Sequence, residues 1–399
     1  MPAATEVSSL DAVLQTCREI YDNPFPRVQA WKDLNPGRKA VGGFPVYTPM
    51  ELVHAGGMLP VLTTGGGSRI EIDHADSRIQ SFVCSVSRST LELGLAGHLE
   101  ALDGMIFPSI CDVARNLSGV WERNFPGKLV EFIHFPQNMT SRWSEEYTYH
   151  ELDRVRTRLE ELSGRPIGED EIRDAIATFN ENRALLDALY AIKNETPWKL
   201  SSVETYLLVH AGNWMRKDDH TAMLKAILPD IQARDVRPKD RIRVVVEGSF
   251  CEQPPLELIE TLEEAGCYIV NDDFLLGSRW YEGAIATDGD PLRSLANAYL
   301  HRSRYSSVRH YGLQPRDKAL LAKARAAKVD GIVFCAAKFC EPALFDYVLL
   351  KQSVEQAGIP YIAFEFEEKM GVFESVRTQI ETFVESILFF SDRGTGGKS

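Results

Sequence analysis

The sequence predicts an α/β fold: two doubly wound, Rossmann-like domains with parallel sheets, a helical subdomain, and an intervening cleft. Three observations carry that expectation. Short apolar runs such as GMIF (104–107) and GIVF (331–334) end in loops and alternate with segments of helical spacing. The alternation occurs in two stretches, with a purely helical stretch between them. The length of 399 residues also exceeds what a single core usually serves.

The first domain is expected over 1–146. KAVGGFPVY reads as a strand leading into one helix, PMELVHAGGMLPV, with Pro49 suited to its first turn. The triple glycine at 65–67 breaks the chain, and SRSTLELGLAGHLEAL has helical spacing with Ser87 as its cap. The strand GMIF and a loop at 108–112 follow, giving the order β-α-α-β. A helical subdomain is expected over 147–238. ELDRVRTRLEELSGR, EDEIRDAIATFNENRALLDALYAI and DHTAMLKAILPDIQAR all carry apolar residues three and four apart. Gly164 suits the end of the first of these, and Asp170 the first turn of the second.

The second α/β domain is expected over 239–391. Its strands are RIRVVVEGSF, CYIVNDD, DGIVFCA and PYIAFEFE; its helices are PLELIETLEEAG, DKALLAKARAAK, PALFDYVLLKQSVEQAG and SVRTQIETFVESILFF. The polar, Gly-rich end at 392–399 is expected to be a disordered tail.

A hydrophobic content of 44% and a charged content of 25% are those of an ordinary globular protein. The net charge of −13 argues against a nucleic-acid surface and a polybasic membrane contact. There is no secretory signal pattern and no run of apolar residues long enough to span a bilayer, so a cytoplasmic location is expected. In that setting the seven cysteines are expected as thiols or metal ligands rather than disulfides.

No two of the seven form a CxxC pair. A free cysteine is most often a small buried hydrophobe, and Cys17 and Cys267 fit that description. Cys84, Cys111 and Cys340 stand in loop contexts: SFVCSVSRST, FPSICDVARNL and KFCEPALFDY. Cys111 and Cys340 each follow a buried strand, where ligands of open α/β sheets collect. Cys340 also enters a helix, whose N-terminus favours thiolate. Cys251, in EGSFCEQPP, is a further loop position that could be a ligand or line a pocket, and Cys335 lies in or at the end of its strand.

The segments FPVYTPMELVHAGGMLPV, FPSICDVARNLSG, EGSFCEQPPLELI, GCYIVNDDF and KFCEPALFDY, in that order, resemble the 2-hydroxyacyl-CoA dehydratase / benzoyl-CoA reductase family over nearly the whole chain. That resemblance implies one [4Fe–4S] cluster held by Cys84, Cys111 and Cys340, with the fourth iron left open. In the reductase branch it implies ATP-dependent, Birch-like reduction of benzoyl-CoA to a cyclohexadiene-carboxyl-CoA. Such a reaction needs electrons at the negative end of what clusters reach, about −700 mV.

The implied partners are a homologous cluster-bearing subunit, two ATP-binding activator subunits with a bridging cluster, and ferredoxin as the upstream donor. ATP and magnesium would bind only on the partners, because this chain has no GxxxxGK[ST] or GxGxxG. The stretch TTGGGSR (63–69) lacks the following Lys–Ser/Thr and is expected to be a turn lining the cleft. Two alternatives remain open at this point: an (R)-2-hydroxyacyl-CoA dehydratase subunit, and a non-catalytic electron-relay subunit. For substrate binding, Glu247, Gln253, Asp272, Asp273 and Arg279 follow predicted strands, and Arg88 could bond cluster sulfur or cap its helix. No proton donor can be named; His54 and His98 fit packing or surface positions.

Overall fold

The computed structural model describes residues 9–309, 315–371 and 373–395. Two helices, α1 (Ser9–Asp22) and α2 (Pro26–Leu34), precede the first α/β unit. That unit runs β1 (Ala40–Gly43), α3 (Met50–Ala55), β2 (Leu59–Leu62), α4 (Ser85–Leu95), β3 (Gly104–Pro108), α5 (Asp112–Asn124) and β4 (Leu129–Ile133). Four helices follow: α6 (Ser144–Ser163), α7 (Glu169–Glu195), α8 (Ser202–Ala211) and α9 (Lys217–Ala233). The second unit runs β5 (Ile242–Glu247), α10 (Leu256–Glu264), β6 (Cys267–Asp272), α11 (Pro291–Arg302), α12 (Arg316–Ala326), β7 (Gly331–Ala337), α13 (Glu341–Gln356), β8 (Tyr361–Phe366) and α14 (Glu374–Thr395).

Both sheets are wholly parallel, with orders β2-β1-β3-β4 and β6-β5-β7-β8. The orders correspond strand for strand. In each, the chain leaves the first strand to one side and returns on the other. The switch points therefore lie between β1 and β3 and between β5 and β7, which is where an open α/β sheet offers a crevice beyond its carboxyl ends. β3 and β7 are buried along their whole length, as strands covered on both faces must be. α7 ties the halves together by packing on α3 of the first and on β6 of the second. Among the described residues no helix is long and apolar enough to cross a membrane.

The two-sheet expectation holds, and the first half corrects its details. PMELVHAGGMLPV is not one helix. α3 stops at Ala55, Gly57 takes φ +66°, and LPVL continues as β2. Two adjacent glycines supply that reversal at little steric cost. With β4 added, the unit is a regular β-α-β series rather than β-α-α-β. Ser87 does not cap α4, because Cys84 is the N-cap. Gly164 does end α6 in the left-handed region, at φ 66°. α14 extends to Thr395, into the segment expected to lack structure, and residues 396–399 lie outside the described part.

The helical stretch buries two neutral imidazoles, which makes the fold sensitive to acid. His220 places Nε2 2.9 Å from the Leu208 carbonyl and Nδ1 3.0 Å from the Asn182 amide, which suits a neutral ring. Burial, then the Lys217 charge, pushes its pKa down to about 3; burial does the same to His210, also to about 3. Unfolded histidines take up protons near pH 6.5, so between there and pH 3 the unfolded chain binds protons that the folded chain refuses. Stability is thus expected to fall with pH across that window, by about 1.4 kcal/mol per unit for each histidine. Urea midpoints at pH 7 and pH 5 check this. Equal midpoints would mean that these rings are charged in the folded protein or already neutral when unfolded.

Candidate metal centre

Cys84, Cys111 and Cys340 are the N-cap residues of α4, α5 and α13. Three helix N-termini, each with unpaired N–H groups and a positive dipole end, thus carry one thiol apiece. The Ala114 N–H donates to the Cys111 sulfur at 3.5 Å, and Cys84 Sγ lies 3.2 Å from the Ser87 hydroxyl. Phe339, just before Cys340, sits at φ +63°, a strained conformation for a residue with a side chain.

These thiols share one region. Burial pushes Cys84 well above the usual thiol range, followed by the charges of Glu252, Cys340 and Cys111. Burial raises Cys340 to about 12, with further upward pushes from Cys111, Glu252 and Asp273. Cys111 is raised by burial, against the pull of the Ala114 and Val113 N–H groups, with Asp112 and Glu341 adding to it. Cys251 belongs to the same group: burial raises it most, then Cys340, Cys111 and Cys84. The charges acting on all four sulfurs are negative.

Such thiols stay protonated unless a cation joins them, so the donor set suits a cationic, sulfur-loving centre such as zinc, copper(I) or an iron–sulfur cluster. Among the described residues no three His, Cys, Asp or Glu side chains stand close enough to hold a single metal ion. A multi-iron cluster is much wider than one ion and needs its thiolates farther apart. Cys17 and Cys267 are fully buried in the core, as expected. Cys335 is also fully buried, within β7.

Two buried carboxyls, Glu252 and Glu368, lie against α4. Glu252 accepts from the Val86 N–H at 3.0 Å, in the first turn of α4. Burial raises the Glu368 carboxyl to about 7, against the pull of Ser89, the Gly67 N–H and the Arg69 and Lys369 charges. Each has an Oε1 that is buried without a hydrogen-bond partner. The TTGGGSR turn is spent on this packing: Gly66 N–H donates to Ser89 Oγ at 3.0 Å, and Gly65, at φ +84°, faces the Glu368 carboxyl. The stretch is therefore a structural turn.

A cavity of about 730 Å³ lies at the carboxyl ends of β5 and β6. Glu247, Asp272, Asp273 and Arg279 line it, together with Arg142, Arg304, Arg309 and Lys323. Asp273 accepts from the Gly248 and Ser249 N–H groups at 2.7 and 3.0 Å, and its pKa rises to about 7 through burial and then the Glu247 charge. Glu247 itself pairs with Lys323 at 2.7 Å. Asp272 bonds Lys193, Arg279 and the Tyr190 hydroxyl, and Arg279 lies over the Tyr190 ring at 3.9 Å. Although burial opposes it, the charges of Lys193 and Arg279 hold the Asp272 carboxyl below its usual range.

Four of the six expected substrate residues thus meet at one cavity, and two do not. Gln253 uses its amide on its own loop, donating to Ser249 O and Cys251 O and accepting from Leu275 N–H. Arg88 bonds Asp76 Oδ1 at 2.9 and 2.6 Å, and so neither caps its helix nor reaches a cysteine sulfur. The basic wall of the cavity was missed. Its Arg304 and Arg309 follow α11, a helix whose start is signalled by Asp290 as N-cap and Pro291 at the first position.

Residues 45–387 match the family described as 2-hydroxyglutaryl-CoA dehydratase, D-component. The C subunit of benzoyl-CoA reductase from Thauera aromatica is 40% identical over 382 residues, covering 95% of this chain and 99% of that one. The beta subunit of lactoyl-CoA dehydratase from Anaerotignum propionicum is 30% identical, over 96% of this chain and 100% of that one. The beta subunit of (R)-2-hydroxyglutaryl-CoA dehydratase from Acidaminococcus fermentans is 26% identical, over 95% and 100%.

Proposed function

The chain belongs to the 2-hydroxyglutaryl-CoA dehydratase D-component family, and we propose that it is the C subunit of an ATP-dependent benzoyl-CoA reductase. What supports this reading is that Cys84, Cys111 and Cys340 each cap a helix N-terminus, with Cys111 and Cys340 following β3 and β7. The greater identity to a benzoyl-CoA reductase subunit than to dehydratase subunits favours the aromatic substrate. When bound, a [4Fe–4S] cluster would supply single low-potential electrons. The complex is then an oxidoreductase acting on CH–CH groups in the cytoplasm, with ferredoxin as the ultimate donor.

The chain's own residues have three tasks in this reading. The helix-capping cysteines would hold the cluster, and the Ala114 N–H supports charge on the Cys111 sulfur. Glu252, Glu368 and the 63–69 turn pack against α4, which Cys84 caps. The cavity behind Asp273 receives the thioester, and its arginines suit phosphate groups of coenzyme A.

We assign the docking face for the cluster-bearing partner to the same end of the molecule. Phe82, two residues before Cys84, and Phe339, directly before Cys340, are exposed, and Phe345, Val348 and Leu349 are exposed on α13. An apolar face of this kind needs a cover. Phe345→Glu is expected to weaken association with the partner subunit by tenfold or more, about 1.4 kcal/mol. The thermal unfolding of the chain alone should not change, because that side chain is 74% exposed. Undiminished co-purification would put the interface elsewhere.

The activity test is direct. Complexes assembled anaerobically with the activator subunits and ATP should reduce benzoyl-CoA. Dehydration of 2-hydroxyacyl-CoA thioesters, with benzoyl-CoA untouched, would replace this reading with the dehydratase one, which the family match also allows.

A further inference from the structure

We infer that this protein binds one halide-sized monovalent anion in a cavity bordered by Lys217, Arg183 and Asn213. The cavity measures about 40 Å³ and lies where α3, α7, the turn between α8 and α9, and the loop after β6 meet. One water needs about 10–15 Å³ and organic ligands about 300 Å³ or more, so the space suits a single small ion.

Its walls carry one positive charge too many. Four charged side chains line it: Glu51, Arg183, Lys217 and Arg279. Glu51 pairs with Arg183 at 2.8 Å, and Arg279 pairs with Asp272 at 2.8 Å. Lys217 is left over. Its ammonium, on a residue only 7% exposed, meets the Gly212 carbonyl at 3.2 Å and lies 5.3 Å from the centre of the Phe179 ring. Among the described residues no carboxylate pairs with it, although an ammonium has three protons to donate. Burial lowers its pKa to about 8, with Glu51 opposing that and Arg183 adding to it. The donors around the cavity are in surplus as well. Asn213 accepts from the Ser278 hydroxyl at 2.5 Å, while its Nδ2 is buried without a partner. Arg183 spends its terminal nitrogens on Glu51 and Asn180, and its Nε is likewise buried without a partner. A buried charge without a counter-ion and buried donors without acceptors are both costly. One monovalent anion answers both, and Met50, Leu62, Phe179 and Trp280 give it the partly apolar surroundings that suit a weakly hydrated halide.

The position gives the ion a task. α3 and Leu62 of β2 belong to the first α/β unit, the loop at 277–281 belongs to the second, and α7 lies between them. Arg279 borders this cavity and also the 730 Å³ one. The bound anion therefore ties the two units together at the base of the arginine that faces the larger cavity.

The test uses the full chain, with potassium chloride replacing potassium gluconate at constant ionic strength and the urea midpoint as readout. A ligand that binds only the folded state raises stability along a curve set by its dissociation constant. Wild type should show that saturable upward shift, and Lys217→Met should lose it. Asn213→Asp keeps the acceptor for Ser278 and gives Lys217 a built-in anion, so without chloride it should match the chloride-saturated wild type. Crystals soaked in potassium bromide should show an anomalous peak beside Lys217 Nζ and Asn213 Nδ2. The same unsaturated salt response in wild type and Lys217→Met would overturn the site, as would an ordered water in that position with no bromide. If Lys217→Met fails to fold, the wild-type curve and the bromide peak still decide the matter, and neither depends on the presence of iron.

Discussion

Alanine at Cys84, Cys111 or Cys340 is expected to cut bound iron at least severalfold, while Cys17→Ser and Cys267→Ser retain the wild-type content. Each of the first three removes a sulfur and also leaves a helix N-terminus in α4, α5 or α13 without the anion it faces. The remaining thiols are half-buried and face negative charges only, so a partly liganded cluster has little to hold it. Cys17 and Cys267 sit in the packed core, Cys17 3.9 Å from the Met223 sulfur, and a serine there changes packing without touching the centre. Iron and acid-labile sulfide on anaerobically purified chains check the expectation. Undiminished iron in any one of the three variants would remove that residue from the ligand set.

What the sequence made legible follows from how local each signal is. The strands of the second sheet are continuous apolar runs bounded by Gly, Asp or Pro, and they lie where expected. The first sheet was harder because β1 contains Gly42 and Gly43 and β2 is only LPVL, directly after a helix. Those glycines are demanded by distant partners: a Cβ on Gly42 would stand 2.2 Å from the Met105 sulfur. The loop positions of Cys111 and Cys340 were readable from the strands before them. Cys251 was readable only as a loop position that could be a ligand or line a pocket, because the parallel crossovers that set β5 beside β7 leave no local mark. Asp272 was readable as a residue after a strand but not as an ion-pair centre, since its partner Lys193 lies 79 residues earlier on α7.

Asp272→Ala is expected to be among the most destabilising single substitutions in the chain, costing about 3–5 kcal/mol. Asp272, Lys193 and Arg279 are each at most 4% exposed at their side chains. Taking two cations and one carboxylate out of water is offset only by their mutual bonds. The Tyr190 hydroxyl and the stacking of Arg279 on its ring complete the set. Alanine leaves two buried positive charges facing one another with no anion between them. The cost should appear as a lowered urea midpoint with an unchanged slope. Glu181→Gln, which breaks the half-exposed pair with Lys225, provides the comparison and should cost less than about 1 kcal/mol. The cluster joins α7 to β6, and α7 also packs on α3 of the first sheet, so its loss loosens the contact that sets one crevice against the other. Cysteines drawn from both crevices depend on that setting. Asp272→Ala should therefore also lower iron content in the folded chain, although the carboxylate is not proposed to bind iron. If iron stayed at the wild-type level while the urea midpoint fell, the ion cluster would support the fold without positioning the metal centre.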